Sequence, residues 1–474
     1  MCGIVGGTGE PSDAALAAIA HRGPDGRGIV RRGPFWLGHT RLAVIDPTSA
    51  SDQPFERGGL SLAYNGELWN YRELRATLAT LGATFRTSGD TEVVAAALAR
   101  WGTDALPRFE GMFAIAAILP SGQLLLARDR FGEVPLHVAR GPRIDDFHFA
   151  SEAKGLLAMG IPGSHIQWVE PGRFLVESPA EIGSWVRWYD LPSRVFVGTH
   201  EQAASALRPL LERGVEDRAV SDVGACLLLS GGLDSSAVAA MYRPHSRDTE
   251  VVAYVAVGEG AEKSRDLRSA REVAESLSIR LREVRVPAPT SSDLSEVVRV
   301  IEQTSKAQVE IGWACLKLAD AIRGDGWKVV LSGEGSDELW GSYGFSFAGI
   351  ERVGFRAYRE QLFVGQHRKN FARCNKVFMS RGIECRLPFL STRLVEHSLS
   401  MTEEQCANGR TGPDSRKDAL RAAVAGLVPD VARRRAKMAF QEGAGLREMA
   451  ASAVADPARY YRAEHTRIFG GMEP

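Results

Sequence analysis

Between residue 1 and about residue 190 the apolar positions come in short runs broken by turn-forming residues: Phe35-Trp36-Leu37-Gly38, Leu60-Ser61-Leu62-Ala63-Tyr64, Met112 to Leu119 and Gln123 to Ala127. Runs of this length, bounded by Gly, Pro and Ser, read as strands, and Pro120-Ser121-Gly122 reads as the turn of a hairpin. Leu74, Leu78 and Leu81 recur instead at helical spacing and predict a helix over 71–81, with further helices near 13–20 and 91–101. Antiparallel strands with helices segregated outside them predict an α+β layered domain.

From about residue 205 the texture changes to alternating strand and helix. Cys226-Leu227-Leu228-Leu229 is a short apolar strand, followed by a Gly-rich loop and a helix from about Ser235. Val251 to Val257, a stretch near Arg280 to Val286, and Lys328 to Leu331 read as further strands. The faces Leu267/Ala270/Val273/Ala274/Leu277 and Ile311/Cys315/Leu318/Ala319/Ile322 mark intervening helices. This order predicts an α/β, parallel, doubly wound sheet with ligands at the carboxyl ends of its strands, and a mostly helical part after about residue 345. The stretch Asp190 to His200, with Pro192 and Gly198, is the expected linker, giving domains over 1–190 and 205–474.

Length agrees with this division, since 474 residues at ~150 per domain make two or three domains. Lys+Arg and Asp+Glu number 58 each, which excludes a basic excess of the kind that general nucleic-acid and anionic-membrane binders carry. None of the six cysteines is spaced C-x-x-C, which argues against a zinc ribbon or a redox pair. The N-terminus has no basic segment followed by a long apolar one, and Met112 to Leu119 is far too short to span a bilayer. The expectation is a cytoplasmic protein with no nucleic-acid or membrane partner.

The first candidate chemistry lies at the N-terminus. Once Met1 is removed, Cys2 carries both a thiol and a free α-amine, so a single residue supplies nucleophile and base. Its context is Met1-Cys2-Gly3-Ile4-Val5-Gly6, then His21-Arg22-Gly23-Pro24-Asp25-Gly26, Gly38 to Asp46, Tyr64-Asn65-Gly66-Glu67-Leu68-Trp69-Asn70-Tyr71 and Ser88-Gly89-Asp90-Thr91-Glu92. On their own, Asn65-Gly66 reads as a hairpin turn and Asp90 as a helix cap. In this order the segments resemble the class II glutamine amidotransferase domain, an N-terminal-nucleophile layered sandwich, over essentially all of residues 1 to 190. That resemblance implies that Arg41 clamps the α-carboxylate of glutamine and that Glu67 and Asp90 take its α-ammonium. It also implies that the Asn65 side-chain amide and the Gly66 N–H form the oxyanion hole for attack by Cys2.

The second candidate is Ser230-Gly231-Gly232-Leu233-Asp234-Ser235-Ser236, between an apolar strand and a helix. Glycines let backbone N–H groups approach phosphates, the helix N-terminus adds a favourable field, and the hydroxyls of Ser230, Ser235 and Ser236 add donors. The absence of Gly-Lys-Ser/Thr excludes a Walker A loop. The pattern resembles the PP-loop of enzymes that split ATP between its α- and β-phosphates. Ser332-Gly333-Glu334-Gly335-Ser336-Asp337-Glu338 follows another strand and would face the same crevice. Asp234 and Asp337 are then placed to hold Mg²⁺, and Glu334 to orient or deprotonate an attacking nitrogen.

Together with Cys2, these loops resemble the glutamine-dependent asparagine synthetases. Further matches are Val257-Gly258, Asp266-Leu267, Ala270 to Ala274, Asn375-Lys376, Gly382 to Leu390 and Arg435 to Phe440, so the resemblance spans nearly the whole chain. It implies that backbone groups of Leu228, Val257 and Gly333 hold adenosine and that Lys437 contacts the phosphates. ATP, Mg²⁺ and glutamine as nitrogen donor are the implied cofactors and co-substrate. The remaining partner is a small-molecule carboxylic acid, with a homodimer as the assembly to test.

One stretch departs from the family. Aspartate-using members carry Thr-Thr-x-Arg before the second loop, where this chain reads Ala307-Gln308-Val309-Glu310. An anion replaces a cation, and Ser391 stands where the family often has Asp. A dicarboxylate would be repelled by Glu310, so the expected acceptor is an acid other than aspartate, with Glu310 near a cation of that acid. A true asparagine synthetase and a glutamine-independent ligase or cyclase stand as alternatives, and a γ-glutamyl hydroxamate as an alternative nitrogen donor.

Overall fold

The structure is a computed structural model that describes residues 1–141, 146–178, 183–246, 250–261, 264–343, 346–410, 414–435, 449 and 453–474. Its first part holds two antiparallel six-stranded sheets. One runs, in spatial order, Ile166–Trp168, His137–Arg140, Phe147–Ala150, Gly3–Thr8, Phe35–Arg41, Gly26–Arg32. The other runs Val186–Arg187, Arg173–Glu177, Leu124–Arg128, Gly111–Ile118, Leu60–Leu68, Phe55–Arg57. Period-2 alternation explains the stacking. In the first sheet Ile4, Phe35, Leu37 and Phe149 join the large core shared with the second sheet, while Val5, Trp36 and Ala150 point outward. The outward set packs under the helices Asp13–Ala18 and Ala153–Leu157. On the far side Tyr71–Thr80 and Asp90–Trp101 cover the second sheet. The result is the layered sandwich expected of an N-terminal-nucleophile domain.

Two local expectations change. Asn65-Gly66 is not a turn but the middle of the strand Leu60–Leu68, paired with Ala114 and Phe113. A Cβ on Gly66 would come within 2.2 Å of the Met112 carbonyl, so this register needs glycine. The helix expected over 13–20 stops at Ala18, and a separate 3₁₀ turn follows at Ala20–Arg22.

The second part contains a five-stranded, all-parallel sheet in the order Arg280–Val286, Val252–Gly258, Ala225–Leu228, Val329–Leu331, Glu384–Arg386. The chain first winds one way from Ala225–Leu228 and then returns past it to Val329–Leu331. The crevice at the carboxyl ends of these two neighbouring strands is the topological switch point, where doubly wound sheets bind ligands. The fifth strand has no apolar signature, and among the described residues after 345 the remaining regular elements are helical as expected. Glu384 and Arg386 are wholly buried, and Arg386 Nε donates to Glu384 Oε1 at 2.6 Å. The stretch 190–199 carries no helix or strand. It is strapped to the second part by Arg356, which donates to the carbonyls of Pro192, Ser193 and Arg194.

One apolar core runs through both parts, and charged side chains cross the junction. Glu302 ends the helix Ser291–Ile301 in a left-handed conformation, and its carboxylate accepts the N–H groups of Ala153 and Lys154 at 3.2 Å. Lys376 donates to the same carboxylate and lies 4.3 Å over the ring of Trp168. These cations hold the Glu302 carboxyl down to about 2 against the opposing effect of burial.

Candidate active sites

Cys2 lies at the head of the strand Gly3–Thr8, facing the strand that carries Asn65 to Glu67. Its backbone N–H donates to Asn65 Oδ1 at 2.8 Å, and Asn65 Nδ2 donates onward to Ser151 Oγ at 3.2 Å. Its carbonyl accepts Arg22 Nε at 2.9 Å, and its thiol faces the Leu42 carbonyl at 3.9 Å. Burial pushes the thiol above its ordinary value, opposed by the adjacent α-ammonium and by Leu42. A buried thiol of this kind needs a neighbouring base.

In the chain as translated, Met1 is 1% exposed and wedged between the two parts. Its ammonium touches Glu384 and lies 3.9 Å from Glu67 Oε1, and its sulfur accepts Asn375 Nδ2 at 3.0 Å. Removing Met1 turns the Cys2 N–H, already held by Asn65, into an amine. The space that Met1 fills is bordered by Glu67 on one side and by Asn375 and Glu384 on the other.

The remaining residues assigned to glutamine surround this point. Arg41 is buried, with its guanidinium held by the loop that follows its strand. Nη1 donates to the Thr48 carbonyl (2.6 Å) and to Asp52 Oδ1 (2.7 Å), and Nη2 to the Asp46 carbonyl. Asp90 opens its helix but is more than a cap, because its Oδ2 accepts Tyr64 Oη and Leu68 N, both at 3.0 Å. Glu67 is pushed up to about 7, first by burial and then by Asp90, with Arg386 and the N-terminus opposing. Glu67 Oε2 and Arg386 Nη2 face each other at 3.9 Å, both without a hydrogen-bond partner.

A carboxyl of this kind binds an ammonium only when ionised. The apparent kcat/KM for glutamine should therefore fall about tenfold per pH unit below about 7. Glu67→Gln should remove the contribution of Glu67 to that limb, leaving the one set by the Cys2 amine, while lowering the plateau, as a pH series of glutamine hydrolysis will show.

In the second part the two Gly/Ser/acid loops meet. Gly231 has φ 71°, and a Cβ there would lie 2.3 Å from Ala270 N, so only glycine makes the turn. Ser230 and Ser235 close the loop on itself, with hydroxyls 3.1 Å apart and Ser235 Oγ accepting Ser230 N at 3.2 Å. Gly232 caps the helix Leu233–Tyr242, within which Ser236 Oγ is buried and unpaired. Leu228 and Val257 stand at the ends of adjacent parallel strands. A Cβ on Gly333 would come within 2.8 Å of Ser235 N, and Ser336 Oγ donates to Asp234 Oδ1 at 2.6 Å. The loops are thus in direct contact at the switch point.

Asp234 and Asp337 do converge, on a cation that the sequence did not single out. Lys417 Nζ lies 2.7 Å from Asp234 Oδ2 and 2.6 Å from Asp337 Oδ1, and its side chain is 3% exposed. In the sequence Lys417 belongs to the charged stretch Arg416-Lys417-Asp418, which resembles a solvated face and gives no local signal of burial. Lys437, the lysine assigned to the phosphates, lies outside the described residues. The two carboxylates, together with nucleotide phosphates, would supply the hard-oxygen donors that Mg²⁺ takes, and the ion would have to share them with Lys417 Nζ.

Glu334 accepts Arg373 Nη2 at 2.8 Å, and Arg373 Nη1 donates to Gln308 Oε1 (2.5 Å) and Asn370 Oδ1 (3.0 Å). Glu338 accepts Asn370 Nδ2 and Tyr343 Oη, and burial beside Glu334 and Asp337 raises it to about 7. Arg373, Asn370 and Gln308 were not picked out as site residues, because nothing local marks them. Glu310, expected beside a substrate cation, is buried two residues beyond Gln308 and so about 200° around the helix Lys306–Gly324. It faces Lys306 (3.7 Å) and the field of its carboxylate reaches Tyr461, whereas Gln308 meets Arg373, the partner of Glu334.

A thiol nucleophile with an adjoining amine in a layered sandwich, joined to a doubly wound domain with a PP-loop at its switch point, defines an ATP-dependent glutamine amidotransferase. Known proteins agree. The model of the glutamine amidotransferase domain matches residues 1–170, and that of asparagine synthase matches 206–370 and 365–469. Asparagine synthetase [glutamine-hydrolyzing] 1 of Arabidopsis thaliana is 30% identical over 424 residues, covering 85% of this chain and 71% of that protein. The Zea mays asparagine synthetase [glutamine-hydrolyzing] is 32% identical over 432 residues, covering 85% and 70%. Among solved structures, glutamine phosphoribosylpyrophosphate amidotransferase from B. subtilis aligns at 18% identity over 71% of this chain and 77% of its own, with a TM-score of 0.35. The chain belongs to the glutamine-hydrolysing asparagine synthetase family and is a glutamine-dependent amidotransferase ligase. Among the described residues no helix is long and apolar enough to cross a membrane.

Proposed function

We propose that this enzyme adenylates a small carboxylic acid other than aspartate and aminates it with nitrogen released from glutamine at Cys2. The amine of processed Cys2 takes the thiol proton, and the thiolate attacks the glutamine side-chain amide. The Asn65 amide and Gly66 N–H receive the oxyanion, while Arg41, Glu67 and Asp90 hold the amino-acid end. Ammonia leaves and a glutamyl thioester remains for hydrolysis. In the second site the substrate carboxylate attacks the α-phosphorus of ATP and expels pyrophosphate. Ser230 to Ser236 cradle the phosphates, Leu228, Val257 and Gly333 hold the adenosine, and Lys417 and Lys437 offset the charge on the leaving group. Mg²⁺ held by Asp234 and Asp337 would neutralise phosphate charge. Ammonia that crosses the junction vacated by Met1 stays unprotonated and attacks the acyl-adenylate, with Glu334 orienting it, to give the amide and AMP.

The observation that carries the choice of acceptor is the stretch Ala307 to Glu310. It holds no cation for a second carboxylate, and the nearby Arg373 spends both terminal nitrogens on Glu334, Gln308 and Asn370. Asparagine formation is the second reading, favoured by the 30–32% identity to asparagine synthetases. An ATP–pyrophosphate exchange screen over carboxylic acids, with aspartate included, separates the two. Exchange with a monocarboxylate or amide-bearing acid and none above background with aspartate is the expected outcome. Exchange with aspartate alone would overturn it.

A further inference from the structure

The residues assigned to the two ends of glutamine, Arg41 and Asp90, ride on separate loops. Arg41 closes the strand Phe35–Arg41, and the chain then turns through residues 46–52 to hold its guanidinium. Asp90 opens the helix Asp90–Trp101 and is delivered by residues 86–89. One side chain of the first loop joins it to the second. Asp46 is 5% exposed and sits in the left-handed region at φ 46°. Its Oδ1 accepts Thr48 Oγ1 at 2.6 Å, and its Oδ2 accepts Ser51 Oγ and, across the gap, Ser88 N, both at 2.9 Å. Its own carbonyl accepts Arg41 Nη2. The two loops are in contact here. A Cβ on Gly89 would lie 2.9 Å from Ser51 Oγ and 3.3 Å from Asp46 Cβ, although its backbone is ordinarily extended at φ −74°. Glycine at 89 thus answers to the close approach of the loops and not to a strained backbone. Gln53 adds a longer bond to Thr91, at 3.4 Å.

We propose that Asp46 is a positioning residue that sets the separation of Arg41 from Asp90 and so fits the first site to an α-amino acid. This rests on reading Arg41 as the carboxylate clamp and Asp90 as the ammonium clamp. An α-carboxylate and an α-ammonium share one carbon, so both clamps engage the same molecule only at one spacing. Asp46 holds the Arg41 side by its carbonyl and the Asp90 side by its carboxylate, which fixes both clamps to a common residue. Burial opposes the ionisation of Asp46, but the donors of Thr48, Ser88 and Ser51 hold its carboxyl down to about 2, so the bridge is an anion throughout the working pH range. A ligand that uses only one clamp gains nothing from this spacing.

The test is steady-state glutamine hydrolysis by the full-length enzyme, with glutaramate, which lacks the α-ammonium, as a competitor. Asp46→Gly removes the carboxylate and still accepts the left-handed turn. It should raise the KM for glutamine about tenfold and leave kcat within about twofold, the pattern of lost binding rather than lost chemistry. Glutaramate should compete against this variant as well as it does against the unaltered enzyme. Asp46→Asn keeps an oxygen for Ser88 N and tolerates the same turn, so its KM should return to within about threefold of the unaltered value. A residue that only supports the fold would lower kcat, or weaken glutamine and glutaramate together. Either result overturns the proposal, as does an unchanged KM. Should Asp46→Gly fail to fold, Gly89→Ala, which wedges the two loops apart, is expected to give the same rise in KM, and a KM that it leaves unchanged overturns the proposal equally. Asp90→Asn tests the reading on which this rests. If it leaves the KM unchanged, Asp90 is not the ammonium clamp and this inference fails with that reading, whereas a KM raised by Asp90→Asn but not by Asp46→Gly overturns this inference alone.

Discussion

Cys2→Ala is expected to lower glutamine hydrolysis, and every glutamine-dependent product, by on the order of 10³-fold or more. Added ammonium salts should still support amide formation at close to the unaltered rate. The split follows from the geometry. The thiol lies at the head of a strand in the sandwich, whereas the switch-point loops belong to another sheet. The substitution removes one sulfur atom from a buried position and leaves the Asn65 and Arg22 contacts to backbone atoms of residue 2 intact. Paired assays of product with glutamine and with ammonium chloride check it. Glutamine use retained by the variant would remove Cys2 from the chemistry.

Asp234→Asn should do the reverse. Asp234 accepts both Ser336 Oγ and Lys417 Nζ, so it joins the first loop to the second and to the buried ammonium. With the charge gone, Lys417 keeps Asp337 as its remaining carboxylate of the pair, and one of the two carboxylates proposed to hold Mg²⁺ is lost. ATP–pyrophosphate exchange should fall on the order of 10²-fold, while glutamine hydrolysis without ATP is kept. Equal loss of both activities would mean that the substitution damages the fold rather than the ATP site.

Where function was legible in this chain, local geometry dictates the residue types. The strand–loop–helix geometry of the first Gly/Ser loop is legible because a strand, two glycines and a helix start are contiguous, and only glycine tolerates the backbone at position 231. Cys2 stands out in the sequence because an N-terminal nucleophile is defined by position in the chain. Asn65-Gly66 shows the opposite case. The dipeptide has a strong turn preference, but the strand wins because pairing with Ala114 and Phe113 buries it between two layers. The strand Glu384–Arg386 was hidden because its charges are compensated across the domain junction rather than by an alternating pattern. Lys417, Arg373 and Glu302 were hidden for a related reason. Each is a polar residue in a helix or beside one, and its partner lies tens to hundreds of positions away. Charge patterning along the chain assigns such residues to solvent, and only tertiary structure shows that they are buried and paired.

In the proposed reaction, nitrogen freed at Cys2 reaches the activated acid without entering bulk solvent. The most direct measurement supplies amide-¹⁵N glutamine together with excess unlabelled ammonium near pH 7, using the acid returned by the exchange screen, and reads the isotope content of the product amide by mass spectrometry. Internal transfer predicts a product that keeps nearly all of the ¹⁵N. A product diluted to the isotopic composition of the bulk ammonium would contradict it.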